Sequence, residues 1–453
     1  MSYLKRSSML ATVVASLVAP PAAAAASVTP WSPPARFVQG GADRFETPDP
    51  VIAIAADGTS GAGWVSGRDV VVSTGDSRGH FTKLRAVGRW SATSVAVAAK
   101  PGGRALVAWE AKDGIRVAVR ARAGRPFVIS LAATSTGSAI NELAAAADPK
   151  GGWVLAERRF PPRGSGNLYR VQTVTLRDDG RRDGPAQDLG RGLFGLSASP
   201  ATALRVDADG RAILAFEREL TRAQQAGPAP QPLVIATRPH GAQFTARTVP
   251  GSTQRRILGA GVSVRGSAAA VSATVAERCG DVGCFGAPGL VRLGADDSPT
   301  AATTPTLRFP GRAFAPEVAA LPDGRSIVAF RQKTGQDAFS TRAPLRALAF
   351  GAEGQPGPVH VLSSRPVSAM RLVSVDRGVA ALAVWSGQRG FGAAAVSERG
   401  SPRFRRSQPP PLPPRHHYPY RRHRSRWRPR PTNPRRPTKP NRPTCGPTNG
   451  QRC

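Results

Sequence analysis

The stretch that decides the architecture is Ser94-Val-Ala-Val97-Ala-Ala-Lys-Pro101-Gly102-Gly103-Arg-Ala105-Leu-Val107-Ala-Trp109-Glu110. Apolar residues recur with period two on both sides of Pro101-Gly102-Gly103, the spacing of two strands joined by a tight hairpin turn. Beyond Gly114 a third alternating run reads Val117-Ala-Val119-Arg120, and Gly124 and Phe127 lead into a fourth that ends near Leu131. One unit is therefore four short strands, with a Gly-x-x-Phe between the third and the fourth.

The same plan returns along the chain. Ala203-Leu-Arg-Val206-Asp-Ala-Asp209-Gly210 turns into Ile213-Leu-Ala-Phe216-Glu217, followed by Leu233 to Arg238 and by Gly241-Ala-Gln-Phe244. Glu317-Val318 through Pro322-Asp323-Gly324 turns into Ile327-Val-Ala-Phe330, then Leu345 to Leu348. Weaker copies begin at Val51, Leu143, Val262 and Leu372, marked by Asp57-Gly58 with Trp64, Gly151-Gly152 with Leu155, Arg265-Gly266 with Val271, and Arg377-Gly378 with Trp385. The period is about 45 residues in the early units and about 55–60 in the later ones. Four strands at such a period are the blade of a β-propeller, so the expected fold is all-β with about seven four-stranded blades. A blade cannot bury both faces alone. The aromatic that closes the second strand (Trp109, Phe216, Phe330, Trp385) is expected to pack between neighbouring blades, with no cofactor role. Residues 141–147 are Ala-rich and suit a helix by propensity, but their place before the Asp148-Pro149-Lys150-Gly151-Gly152 turn makes Leu143 to Ala147 a first strand.

The N-terminus reads as an export signal. Lys5 and Arg6 precede an apolar stretch at 9–18, then Pro20, Pro21 and a run of alanines to Ala26. Residues 1–26 are taken as a signal peptide, 27–48 as a linker, 49–400 as the propeller and 401–453 as a tail. The competing reading of 9–18 is a buried helix; as a membrane span it is too short. Export places the protein outside the cell or at its surface and permits disulfides. The four cysteines fall in two local pairs, Cys279 with Cys284 and Cys445 with Cys453; four allow three connectivities, and the local one is preferred. The repeat-region histidines, His80, His240 and His360, have no carboxylate or thiol companions at ligand spacing, so no metal or other cofactor is expected.

The formal net charge is +34, and it is uneven. From Ser401 the chain carries 15 Lys and Arg and no acid, and it is dense in proline. Such a segment cannot bury a core and is expected to be disordered, with polyproline character. Its centre, Arg421, Arg422, Arg424, Arg426, Trp427, Arg428 and Arg430, is the candidate binding segment for an anionic partner. Outside a cell that partner is a wall polymer or a membrane surface rather than nucleic acid, although arginines interleaved with aromatics suit either. A solvated spacer without a fixed partner is the bland alternative.

The units resemble those of secreted bacterial β-propellers of the broad sialidase-like superfamily, found in uncharacterised actinobacterial exported proteins. The resemblance spans about residues 49–399 and rests on strand, Asp-Gly, strand, then Arg-x-x-Gly-x-x-Phe. It implies the fold and leaves the chemistry behind. The family's Asp-box has its nearest counterpart at Ser73-Thr-Gly-Asp76-Ser-Arg-Gly79-His-Phe81, where the spacing is wrong. The family's early Phe-Arg-Ile-Pro motif does not occur, and Tyr169 is the only tyrosine of the repeat region.

Binding is expected on one face. Extra residues at 158–167, 219–232, 279–284 and 332–344 all follow a second strand, and such loops open together on one side of a propeller. Loops also lengthen wherever length costs little. Glu110, Glu157 and Glu217 each end a second strand in three successive units and are expected to be neighbours. Glycoside hydrolysis needs two carboxyl groups about 5–9.5 Å apart, one with a raised pKa, which makes these three the weak catalytic candidates. Arg158, Arg159 and Arg218 follow directly, so a solvated ion-pair cluster is the plainer reading. The sequence thus favours a non-enzymatic propeller that binds a glycan or protein ligand, with a carbohydrate-active enzyme as the alternative.

Overall fold

The computed structural model describes residues 35–36 and most of 51–397; within that span 56, 58, 67–68, 76–84, 90–93, 135–139, 160–168, 193–202, 219–231, 253–256, 266–267, 281–282, 295, 304–311, 322, 334–342, 374–378 and 388–389 are not described. The chain divides into a compact unit, Met1–Arg405, and a second, Arg406–Cys453. The expected signal peptide, the basic segment from Arg421 to Arg430, and Cys445 and Cys453 all lie outside the described residues.

Among the described residues every regular element is a strand, apart from one 3-10 turn at Pro101–Gly103. β1 is Ala35–Arg36. Blade one is β2 (Val51–Ile54), β3 (Ser60–Ser66), β4 (Asp69–Gly75) and β5 (Arg85–Arg89). Blade two is β6 (Val95–Lys100), β7 (Arg104–Ala111), β8 (Gly114–Arg120) and β9 (Val128–Thr134). Blade three is β10 (Ile140–Ala147), β11 (Trp153–Arg159), β12 (Arg170–Leu176) and β13 (Gln187–Arg191). Blade four is β14 (Leu204–Val206), β15 (Ala212–Glu217), β16 (Leu233–Arg238) and β17 (Thr245–Thr248). Blade five has β18 (Ile257–Arg265), β19 (Ala268–Gly280) and β20 (Gly283–Arg292), its fourth place marked by a Leu290–Thr303 bridge. Then come β21 (Arg312–Ala320), β22 (Ser326–Lys333), β23 (Ala343–Phe350), the long β24 (Pro356–Val373), β25 (Val379–Gly387) and β26 (Gly390–Ser397).

Among the described strands all pairings are antiparallel and, apart from β1 with β26, join strands consecutive in the chain, so each blade is a meander. Blades six and seven share one sheet because β24 serves both. Its first part pairs β23 as far as Val367, and from Val367 onward it pairs β25. β1 pairs β26 and stands fourth in blade seven, so the N-terminal side of the chain completes the last blade. That gives part of the stretch read as a linker a place in the propeller. Contacts run from each blade's first strand to the next (β2 to β6, β6 to β10, β10 to β14, β14 to β18, β18 to β21, β21 to β24) and return from β24 to β2. The ring is closed.

Its core is a set of slices between blades. One cluster joins Val51, Val70 and Val87 of blade one to Val107 and Trp109 of blade two. The next joins Leu106 and Ala108 to Leu143, Trp153 and Leu155, and the slices continue round to Leu345 with Met370 and Leu372. The expected aromatic role holds for Trp109, Phe216 and Phe330, each buried against the preceding blade. Glycines make room for two of them. A Cβ on Gly88 would lie 2.6 Å from the Trp109 ring, and one on Gly192 would lie 2.4 Å from Phe216. First strands such as β6 and β10 are rich in alanine because sheets converge near the axis, where close packing leaves room only for small side chains. The Ala-rich 141–147 is accordingly a strand.

Polar groups then fix each blade to the next. A first strand has no neighbour on its inner edge, so its amides need other acceptors. Ser94 Oγ accepts from the Leu143 amide (2.9 Å), Ser263 Oγ from Ala320 (2.9 Å) and Glu317 Oε2 from Leu372 (2.5 Å), each bond crossing to the following blade. At the opposite ends of the strands, third-strand arginines reach back. Arg120 donates to Thr74 Oγ1 at 2.7 Å, and Arg238 to Thr175 Oγ1 at 2.9 Å. Each also lies over the Phe of its own Gly-x-x-Phe, Phe127 and Phe244. The Arg and Phe read from the sequence as a repeat signature are thus one inter-blade clamp used twice.

Candidate functional site

The strand boundaries place the long insertions where the repeat predicted. The connections β11 to β12, β15 to β16 and β22 to β23 join second strands to third strands, and in blade five the same connection is the extended β19–β20 hairpin. In a ring of meanders these connections leave on one face, called here the loop-bearing face. The inserted residues themselves are mostly outside the described residues. Cys279 and Cys284 stand opposite one another in the β19–β20 ladder, one pair in from Gly280 and Gly283; their side chains are outside the described residues, so no pairing is shown.

The three glutamates at the ends of second strands do not form one group. Glu110 shares its face of β7 with Leu106 and Ala108, which pack against blade three. Glu157 shares its face of β11 with Trp153 and Leu155, which pack against blade two. These two therefore border the same gap. Glu217 lies on the face of β15 with Ile213 and Ala215, turned toward blade five, and the expected neighbourhood of all three is corrected on that point. Glu157 is fully buried; Glu217 is 3% exposed, and Glu110 keeps partial exposure.

Burial drives the Glu157 carboxyl above the usual carboxylate range, although the Arg159 charge and hydrogen bond pull it down. Arg159 Nε donates to Glu157 Oε1 at 2.8 Å. On the other face of the strand Arg158 pairs with Glu142 Oε1 at 3.0 Å and stacks over Tyr169, 4.2 Å from the ring centroid. The rim of blade three is thus a set of buried or half-buried ion pairs. Glu157 occupies the side and the end of the second strand that an aromatic takes in blades two, four and six, which explains its burial.

A second charged group was not foreseen. Glu317 on β21, Arg205 on β14 and Arg371 on β24 come from first strands, and Arg331 lies near the end of the second strand β22. Glu317 is 2% exposed; burial raises its pKa, against the pull of Arg371, Arg205, the Leu372 amide and Arg331. Burial, and then the charge of Arg371, hold the Arg205 guanidinium well below its ordinary value. Arg371 Nη1 lies 4.0 Å from Glu317 Oε1. The sequence signal was available, since Arg205 and Glu317 interrupt apolar first strands, but their convergence depends on ring closure.

The opposite face carries its own interlock. Asp178, in the turn after β12, accepts from Lys100 Nζ (2.8 Å), Arg104 Nη2 (2.7 Å) and the Gly152 amide (3.1 Å). Lys100 also lies over the Trp153 ring at 4.6 Å. His240 does have a carboxylate companion, Asp148 Oδ2 at 3.1 Å, from the preceding blade. Arg211 pairs with Asp297, and Arg292 donates to the carbonyls of Gly351 and Ala352. Among the described residues no group of three His, Cys, Asp or Glu is placed to hold a metal ion.

No protein-family model matches the sequence. No curated protein matches it either. Among solved structures the chain is similar to a prolyl endopeptidase at 14% identity and a TM-score of 0.41, covering 77% of this chain and 47% of that one. It is similar to the polysaccharide lyase Uly1 at 12% identity and a TM-score of 0.42, covering 75% of this chain and 88% of that one. An ACO/RPE65 chimera matches at 11% identity and a TM-score of 0.38, covering 74% and 85% respectively. The chain spans about half the length of the prolyl endopeptidase it matches. The propeller assignment rests on the strand pairing and ring closure given above.

Proposed function

We propose that this protein is an exported, non-enzymatic binding module whose ligand, a glycan or a protein segment, docks on the loop-bearing face. The observation that carries the reading is the state of the rim carboxylates. A hydrolase needs two carboxyl groups open to the glycosidic bond. Here Glu157 is fully buried on Arg159, Glu142 is engaged by Arg158, and Glu217 faces another gap. Of the three sequence candidates only Glu110 keeps partial exposure. A hydrolytic role for Glu110 and Glu157 is the second reading, favoured by the gap they share and by the raised Glu157 pKa.

The sialidase-like kinship, the secreted or cell-surface location and the local disulfides belong to the same proposal. In it, the basic tail holds the propeller near an anionic wall polymer or membrane surface through salt-sensitive contacts. Glycan-array binding, run on the full chain and on a chain ending before Ser401, tests the binding role. Selective binding by both, without turnover of the bound glycan, is expected. Cleavage that Glu110→Gln abolishes would instead establish the hydrolytic reading. The shortened chain should fold normally and lose salt-sensitive retention on cells; equal retention refutes the tail's role.

A further inference from the structure

The outer strands of the blades are sheet edges, and most of them are protected. Natural sheets blunt an edge with charge, proline or brevity, because unpaired amides and carbonyls will accept another strand. β5 reads Arg-Ala-Val-Gly-Arg, β13 reads Gln-Asp-Leu-Gly-Arg and β17 reads Thr-Ala-Arg-Thr. The outer part of β24 carries Pro356 and Pro358, and β1 is two residues long. Among the described outer strands β9 is the exception: Val-Ile-Ser-Leu-Ala-Ala-Thr has no charge and no proline over seven residues. Val128, Ile129 and Leu131 on it are 64%, 49% and 42% exposed, and they are three of the four exposed large hydrophobic side chains among the described residues. β9 ends its sheet, pairing only with β8, and a bulge near Ala132 confines the regular edge to the four residues 128–131.

The approach to this edge is positive. Arg122 and Arg125 are exposed in the turn just before β9, and among the described residues neither is paired with a carboxylate. An antiparallel strand added to the edge would bring its C-terminal end beside them. A second copy would supply no acid there, since residues 135–139, just after β9, are uncharged, and the chain's own charge of +34 opposes self-association.

We propose that β9 is a docking edge for an extended peptide of a partner protein, apolar along the strand and acidic at its C-terminal end, bound by antiparallel β-augmentation. The backbone ladder would supply the affinity. Val128, Ile129 and Leu131 would read the apolar side chains, and Arg122 and Arg125 the acidic end. This surface is distinct from the loop-bearing face and does not depend on it.

The test uses the full chain and a fluorescent peptide, Thr-Val-Thr-Val-Thr-Asp-Asp, followed by anisotropy. The expected result is saturable binding that Ile129→Lys weakens by at least about tenfold, while Ile129→Thr, which keeps strand propensity, stays within about threefold. Ile129 is half exposed, so both variants should melt as the parent does. Arg122→Glu with Arg125→Glu should weaken the acidic peptide and favour one ending in Lys-Lys. Equal binding to the parent and Ile129→Lys overturns the proposal, as does equal binding of the two peptide endings. Self-association in sedimentation that Ile129→Lys abolishes would also overturn it, by giving the edge to a second copy.

Discussion

Replacing Asp178 by Asn should loosen the joint between blades two and three, by an amount that the structure allows us to bound. Partial burial alone would raise the Asp178 pKa, but hydrogen bonds from Lys100 and Arg104 outweigh it and bring the value from 3.8 to about 2. At about 1.36 kcal/mol per pH unit that is on the order of 2.4 kcal/mol for a sheltered carboxylate. The side chain is 51% exposed, so screening reduces its own share to about 1 kcal/mol. The larger cost lies with the partner. Lys100 is only 5% exposed, and burial already lowers its pKa despite Asp178. Taking the carboxylate away leaves a buried ammonium with the Trp153 ring for company, a loss of about 3 kcal/mol when one partner of a buried pair is removed. Asp178→Asn should therefore cost about 2–4 kcal/mol at pH 7, and Lys100→Met about 1. The double variant should cost less than Asp178→Asn alone, because no buried ammonium remains unpaired and Arg104, the partner left over, is one-third exposed to water. Urea unfolding of the four proteins at pH 7 measures the cycle. Because the folded-state pKa is depressed, the Asp178 contribution is present above about 3.8 and is lost as the pH falls toward about 2. An unchanged urea midpoint for Asp178→Asn, or costs that simply add, would refute the argument.

Other expectations are smaller in scope. Trp109→Ala should cost about 3–5 kcal/mol in the same assay, since the ring fills the first slice between blades. Gly152→Ala should prevent accumulation of folded protein: the residue has φ +64°, and a Cβ there would meet the Leu176 carbonyl at 1.8 Å. Circular dichroism of the purified chain checks it. Glu157→Gln concerns pH. Burial raises the folded pKa above the ordinary 4.5, so the folded state holds its proton more tightly than the unfolded chain does. The stability from this group is then full below 4.5 and falls as pH rises through the raised value; the variant should flatten that fall in urea midpoints measured against pH.

Much of the fold was legible because each blade repeats its punctuation. Gly102, Gly210 and Gly324 all take positive φ, between 75° and 79°, in the turn between first and second strands. A residue type chosen for backbone freedom, at a fixed place before an apolar run, survives drift in the strands around it. The closure was hidden for the opposite reason. Ala35–Arg36 is too short to show an alternation, and only its pairing with Gly392 and Ala393 reveals a strand. β24 conceals a blade boundary inside 18 residues of continuous strand. Contacts such as Lys100 with Asp178, 78 residues apart, depend on how neighbouring blades align their turns, which no local pattern encodes.

The glutamates show where a sequence pattern stops short of a site. All three end a second strand, and that much the repeat supplied. Which gap each enters depends on parity within the strand, and a one-residue difference reverses it. Glu110 and Glu217 each follow directly on the aromatic that faces the preceding blade, so both turn toward the following one. In blade three the residue facing backward is Leu155, and Glu157 comes two positions later, so it also turns back. The Gly152-Trp153 junction had the information: the backward-facing residues begin one position after the turn glycine in blade three, and two after Gly103 and Gly210 in blades two and four. That single step carries Glu157 into an aromatic's slot, buries it, and turns it toward the gap that Glu110 borders. Chemistry at this rim that calls on Glu157 has to begin by exposing a carboxylate that the packing of blade two against blade three keeps covered.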